Sequence, residues 1–453
     1  MVRCGRSCRV LALVMFFAAV TPWSSSAESR RGAESFDSRV ASTWFDRLYD
    51  VIMAEKIAPP VAARIYGTAA VALYESIVPG TASARSLARQ LNGLTSVPQP
   101  YRGRNLHWPT VANAALASTI RGLLPQMSAS SLAAVEALEQ QFASEFQVQT
   151  RPSIHARSVL QGQTVANAVV AWISTDGLAN LNNCPYTPPV GPGLWSSTPP
   201  SFAPPLQPCW GQLRPFVLTS GAECGPPPPP AFSTDSSSEL FALALQVYDT
   251  KLNLTPEQET VALFWADNAG ASGTPPGHWI AIMAALARDL GLSLADAAEG
   301  FARVGIAVAD AFISCWNAKY TYNVLRPVSY INDVIDETWS PLLATPPFPS
   351  YTSGHSSQSA AAATLLTDMF GALAFVDSTR TTHALQPALA PRSFQSFEQA
   401  AEEAALSRLY AGIHFATDNN VGMEQGHCIG RAIIDRVQFK KRRLHGRFER
   451  SGS

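Results

Sequence analysis

Residues 185–230 hold fifteen of the chain's 34 prolines, five of them in "GPPPPP" from Gly225. Proline has no N–H to donate and its ring clashes with the preceding turn, so no helix interior survives such a stretch. The chain must therefore fold on either side of it. An extended crossover is expected, and Trp195, Trp210 and Phe216 give it side chains to bury, which predicts that it lies against the protein surface.

On both sides of the crossover, apolar residues recur at helical spacing. In "PPVAARIYGTAAVALYESIVPG" Ile65, Ala69, Ala72, Leu73 and Ile77 share a face, with Pro59 and Pro60 at the start and Pro79-Gly80 at the stop. Similar runs over 111–124, 128–146 and 155–173 make a bundle. Helical patterns resume at "SSELFALALQVYDTKL" and cover 257–268, 278–290, 294–319, 355–374, 395–410 and 414–439. Alternating strand patterns are nearly absent and no internal repeat is visible. The expected fold class is all-α, as two packed helical bundles over 28–184 and 231–439, followed by a solvated basic tail over 440–453.

The start of the chain places Arg3, Arg6 and Arg9 before an apolar run from Val10 to Val20, then small residues at Ser25 and Ala27. This is the pattern of an export signal over 1–27, and the run is too short to span a bilayer. No later segment is expected to reach spanning length, so stable membrane insertion is not expected after the signal is removed. A secreted or periplasmic location follows. Removing the signal takes away three arginines and no acids, moving the formal charge from −1 to −4, which argues against a nucleic-acid partner. Five cysteines remain. Cys184, Cys209 and Cys224 lie in irregular sequence and are expected to supply one disulfide, while Cys315 and Cys428 sit in helical patterns and read as core residues. No His/Cys cluster suggests zinc.

Three later segments put ionisable residues where a bundle normally puts apolar ones. In "WNAKYTYNVLRPVS" Lys319 and Arg326 are seven apart, two turns of one helical face. In "PSYTSGHSSQSAAAATLL" Ser353 and Gly354 precede a helix begun by His355, whose free N–H groups and dipole favour a small anion. In "SRLYAGIHFATDN" Arg408 and His414 share a site only if the chain breaks at Gly412; His414 and Asp418 then stand at i and i+4 of the next helix. Three converging cations without acidic partners need an anion among them. A tetrahedral oxyanion capped by an imidazole fits, and both phosphate and vanadate qualify. The remaining histidines, His278 among them, read as structural or surface residues.

These motifs, K-x6-R-P, an expanded P-S-G-H and S-R-x5-H, resemble the signature of the vanadium-dependent haloperoxidases and the type 2 phosphatidic acid phosphatase (PAP2) superfamily. The resemblance covers roughly residues 260 to 430. "FWADNAGASGTPPGHW", from Phe264, is similar to a segment of the fungal chloroperoxidase type and favours the haloperoxidase branch. The resemblance implies vanadate as cofactor, with phosphate able to occupy the same site. His414 would bind vanadium, oriented by Asp418, and Lys319, Arg326, Arg408, Ser353 and the Gly354 N–H would neutralise the oxygens. His355 would be the acid-base group and Lys319 would polarise peroxide. Trp316 and Phe348 would line a halide pocket able to handle chloride as well as bromide, and Asp267 falls near an acid that steadies an arginine. The implied substrates are hydrogen peroxide and halide. The same residues would run an acid phosphatase on a phosphoester through a phosphohistidine, and a phosphate-binding protein is the third reading. Oligomeric state is not legible.

Overall fold

Proline and small capping residues set the helix starts in the computed structural model, which describes Met1 and residues 31–100 and 105–441. The expected leader past Met1 and the basic tail from 442 lie outside the described residues. The first half supplies α1 (Arg39–Ala54), α2 (Pro59–Ile77), α3 (Trp108–Leu123), α4 (Ala129–Gln147) and α5 (Pro152–Ile173). Proline stands in the first turn of α2, α3 and α5, where its missing N–H costs nothing, and the Ser128 hydroxyl caps α4. After the crossover come α6 (Glu239–Leu252), α7 (Pro256–Phe264), α8 (Thr274–Asp289), α9 (Leu294–Tyr322), α10 (Pro327–Val334), α11 (Gly354–Phe370), the single turn α12 (Thr379–Thr382), α13 (Phe397–Tyr410) and α14 (Ala416–Arg436). A short antiparallel pair, β1 (Phe375–Asp377) and β2 (Arg392–Phe394), is the exception to the all-α pattern among the described residues.

The 29-residue α9 is the axis of the molecule, about 44 Å long at 1.5 Å per residue. It is buried on nearly every face because α2 packs along one side and α11 along another, so it joins the two halves. The α2–α9 crossing is backbone to backbone: a Cβ on Gly67 would lie 2.8 Å from the Gly305 carbonyl oxygen. Contrary to the expectation that nothing past the leader reaches spanning length, Pro59–Gly80 is long and apolar enough to cross a membrane. Its apolar surface is instead spent on the core, with 94% of its most apolar 18 residues buried.

The crossover is pinned to α9 by a buried carboxylate. Asp310 accepts the N–H groups of Phe216, Val217 and Leu218 at 2.6, 2.8 and 3.0 Å. Burial pushes its carboxyl up to about 6, against the pull of those three donors. Trp195, Trp210 and Phe216 are buried. Cys184, at the crossover's edge, pairs with Cys209 within it, as the irregular sequence around both suggested. Cys428 departs from expectation: it is no isolated core thiol but pairs with Cys224, because α14 passes beside the crossover's end. Cys315 is the free cysteine among the described residues, and it is buried.

Candidate active site

Lys319 and Arg326 do not share a helix. Asn323 turns left-handed (φ 51°) and ends α9, and Arg326 becomes the N-cap of α10 with Pro327 at its first position. The two side chains still converge, both wholly buried. The Lys319 ammonium donates to the carbonyls of Pro349, Ser350 and Thr352 at 2.9, 2.9 and 2.5 Å. Burial pulls its pKa down to about 7, but three acceptor-only partners call for all three N–H bonds of the charged form. Arg326 donates through Nε to the Phe348 carbonyl and through Nη1 to that of Ile413, both at 2.8 Å. Its Nη2 is buried with nothing to donate to.

The start of α11 forms the adjoining wall. The Ser353 hydroxyl accepts the Ser356 N–H at 3.4 Å as an N-cap, and its own N–H donates to the Asp418 carbonyl at 3.0 Å. Gly354 opens the helix, one residue earlier than expected. A Cβ there would come no closer than 3.6 Å to its nearest neighbour, Trp316, so the space it would fill belongs to the cavity.

Gly412, at φ +76°, breaks the chain between Arg408 in the last turn of α13 and His414. His414 stands two residues before α14 rather than on it, yet its Nδ1 lies 2.9 Å from Asp418 Oδ2. That oxygen also accepts the Ser350 hydroxyl at 2.5 Å and the Phe415 N–H at 3.1 Å. His414 Nε2 faces Arg326 Nη1 at 3.1 Å. A carboxylate on one nitrogen and a pure donor on the other fix the neutral tautomer, with Nδ1 protonated and the unprotonated Nε2 lone pair turned toward Arg326. Burial first, then Arg326 and Lys319, hold its pKa well below the usual imidazole value. Arg408 donates through Nη2 to the Trp265 carbonyl at 2.8 Å and that of Ala262 at 3.2 Å. Burial draws Arg326 and Arg408 down to about 10, so both stay charged at neutral pH.

His355 Nε2 lies 2.9 Å from the same Trp265 carbonyl, which can only accept, so Nε2 carries the proton and Nδ1 the lone pair. Burial, then Arg408, keep this imidazole neutral as well. Under Trp265 lies a group that motif spacing missed. His278 stacks on the Trp265 ring at 4.3 Å and bonds Asp267 through Nδ1 (2.8 Å) and Asp377 through Nε2 (2.7 Å), all three side chains sealed from solvent. Two carboxylates on two ring nitrogens make it an imidazolium. Burial alone would lower its pKa, but Asp267 and Asp377 raise it to about 10. Asp267 thus pairs with His278 instead of an arginine, and reaches Arg408 only through its field. The signal that could have found it is "GTPPGHW", where the histidine directly follows the buried first turn of α8.

A cavity of about 480 Å³ opens onto this constellation. Gly354, His355, Arg408 and His414 line its floor, Trp316 and Phe348 its wall, and Asp267 also borders it. Lys319, Arg326 and Ser353 stand behind that lining. The Trp316 and Phe348 rings are 4.9 Å apart, and the Lys319 ammonium lies 5.0 Å from the Phe348 ring centre. Donors and positive charge dominate the site, with three buried cations, an orphaned guanidinium N–H and the N-terminus of α11 set against unpartnered carboxylate oxygens on Asp267 and Asp418. A tetrahedral oxyanion supplies the missing acceptors and vanadate fits that donor set, with an imidazole lone pair beside it.

Residues 299–442 match the family model described as the VCPO second helical-bundle domain. The crystal structure of a bacterial vanadium-dependent iodoperoxidase is 34% identical, with a TM-score of 0.82, over 89% of this chain and 97% of that one. A holo-type bacterial vanadium-dependent chloroperoxidase shares the fold at 16% identity, with a TM-score of 0.64 over 84% of this chain and 93% of its own. Vanadium chloroperoxidase from Curvularia inaequalis is 33% identical over 22% of this chain, a stretch spanning only 21% of that relative's length.

Proposed function

The chain belongs to the vanadium-dependent haloperoxidase family, and on that premise we propose that it uses hydrogen peroxide to oxidise halide at a vanadate held by His414. The observation that carries the reading is the neutral His414, its Nε2 lone pair aimed into a cage of buried cations. Bound vanadate supplies a Lewis-acidic centre that activates peroxide toward attack by halide. Arg326, Arg408, Lys319 and the Gly354 N–H would neutralise the oxyanion, and Ser353 would add its hydroxyl hydrogen. Asp418 holds His414 in the tautomer a metal requires. His355 takes the peroxide proton at Nδ1, because Nε2–H is committed to Trp265. Three carbonyls around Lys319 favour its charged form, which would offset negative charge on bound peroxide.

Iodide is the halide we assign, against the chloride and bromide pocket implied by the fungal resemblance. The iodoperoxidase aligns across nearly its whole length, and iodide gives up an electron pair most readily of the halides. An exported location is part of the proposal, supported by two disulfides. Apo protein loaded with vanadate is expected to oxidise iodide with peroxide, to lose that activity in His414→Ala and to lose most of it in His355→Ala. Phosphoester hydrolysis with no halide oxidation would replace this reading with the phosphatase.

A further inference from the structure

Small-molecule pockets run to roughly 300–1,000 Å³, and the cavity over His414, at about 480 Å³, falls in that range. A halide ion fills only a small part of it. Its walls are apolar, with Pro59, Leu206, Pro275, Leu343 and Pro347 beside the aromatic pair. The cavity runs from exposed Lys56 at its mouth to His414, 3% exposed, at its floor.

Lys56 is a built feature of that mouth. It sits in the turn between α1 and α2 at φ +52°, and its stem lies on the bare backbone of Gly270, where a Cβ would come within 3.0 Å of its Cγ. The neighbouring carboxylate, Glu55, is committed to the Ser128 N–H and hydroxyl. Among the described residues no carboxylate lies within 4.0 Å of the Lys56 ammonium. Asp267, the one acid lining the cavity, pairs through Oδ2 with His278 and is sealed from solvent, its Oδ1 unpartnered. The mouth therefore offers an unpaired cation above an apolar shaft.

We propose that this cavity binds an organic halogen acceptor, an electron-rich aromatic molecule bearing a carboxylate or similar anionic group. Its charge rests on Lys56 and its ring lies against the apolar wall near the floor. The inference rests on the haloperoxidase reading for the oxidant. An aromatic carbon gives its electron pair to the iodine of hypoiodous acid, the C–I bond forms and the I–O bond breaks. The released hydroxide leaves with the ring proton as water.

The test uses 4-hydroxyphenylacetate and its neutral amide with vanadate-loaded enzyme, wild type and Lys56→Gln. Wild type is expected to iodinate the carboxylate with a KM about tenfold below that of the amide, the size of one charge-assisted contact. Lys56→Gln should erase that preference while triiodide formation, with no organic acceptor present, stays unchanged. Equal KM values for both compounds in wild type, or an unchanged preference in Lys56→Gln, would overturn the proposal. Calorimetric binding of 4-hydroxyphenylacetate reads the site separately. Lys56-dependent binding without iodide oxidation would retain the pocket and sink the haloperoxidase reading, whereas iodide oxidation without such binding would do the reverse.

Discussion

At His414 the protonation state follows from its partners, which makes Asp418 the residue to change. Asp418→Asn keeps the shape and an oxygen that can accept Nδ1–H, but removes the negative charge that strengthens that bond. Vanadate affinity is expected to fall about 10–100-fold with the far-UV circular dichroism unaltered; unaltered affinity would remove Asp418 from the site. His278 carries a different prediction. Its folded pKa of about 10 lies above the usual imidazole value, so the stabilisation it contributes is complete below about pH 6.5 and is lost as pH rises through about 10. His278→Gln should cost about 3–5 kcal/mol near pH 6, as expected for a buried charge pair losing one partner, and the gap to wild type should narrow toward pH 10 in urea unfolding. A gap independent of pH would contradict the imidazolium. This triad was illegible in the sequence because residues 267, 278 and 377 are joined only by the tertiary fold, and no spacing encodes three such distant partners.

The helices were legible where periodicity and proline agreed, as in α2, whose start at Pro59 and end near Pro79 could both be read. The site's two junctions were not. Lys319 and Arg326 look like one face until Asn323 turns left-handed, and an asparagine carries that signal far less strongly than a glycine. His414 looked helical because i, i+4 spacing to Asp418 also suits a residue that approaches a helix's N-terminus from outside. Gly412 was read correctly as the break, and the account predicts its cost. Gly412→Ala, at φ +76°, should destabilise by ~1–2 kcal/mol in a denaturant titration. The α2–α9 crossing is less forgiving, since a Cβ on Gly67 meets backbone at 2.8 Å. Gly67→Ala should cost about 1–3 kcal/mol and lower Tm; a neutral Tm would mean that the helices do not touch there.

Across the whole molecule, two bundles meet along α9, and the disulfides tie the crossover at scales that sequence could not rank. Cys224–Cys428 closes 204 residues and Cys184–Cys209 only 25. Loop-closure entropy then gives the longer bridge about 2 kcal/mol more stabilisation, so Cys224→Ser with Cys428→Ser should lower Tm further than the corresponding change at the shorter one. Neither bridge lines the cavity, whose floor rests on helix ends brought together from α9, α10, α11, α13 and α14. The most direct measurement of what that convergence does is calorimetric titration of orthovanadate into wild type and His414→Ala, with phosphate as competitor. Saturable one-to-one binding that phosphate displaces, and that His414→Ala weakens by at least tenfold, is the predicted result. Binding left intact in His414→Ala, or no binding by the wild type, would contradict the cationic cradle on which the account rests.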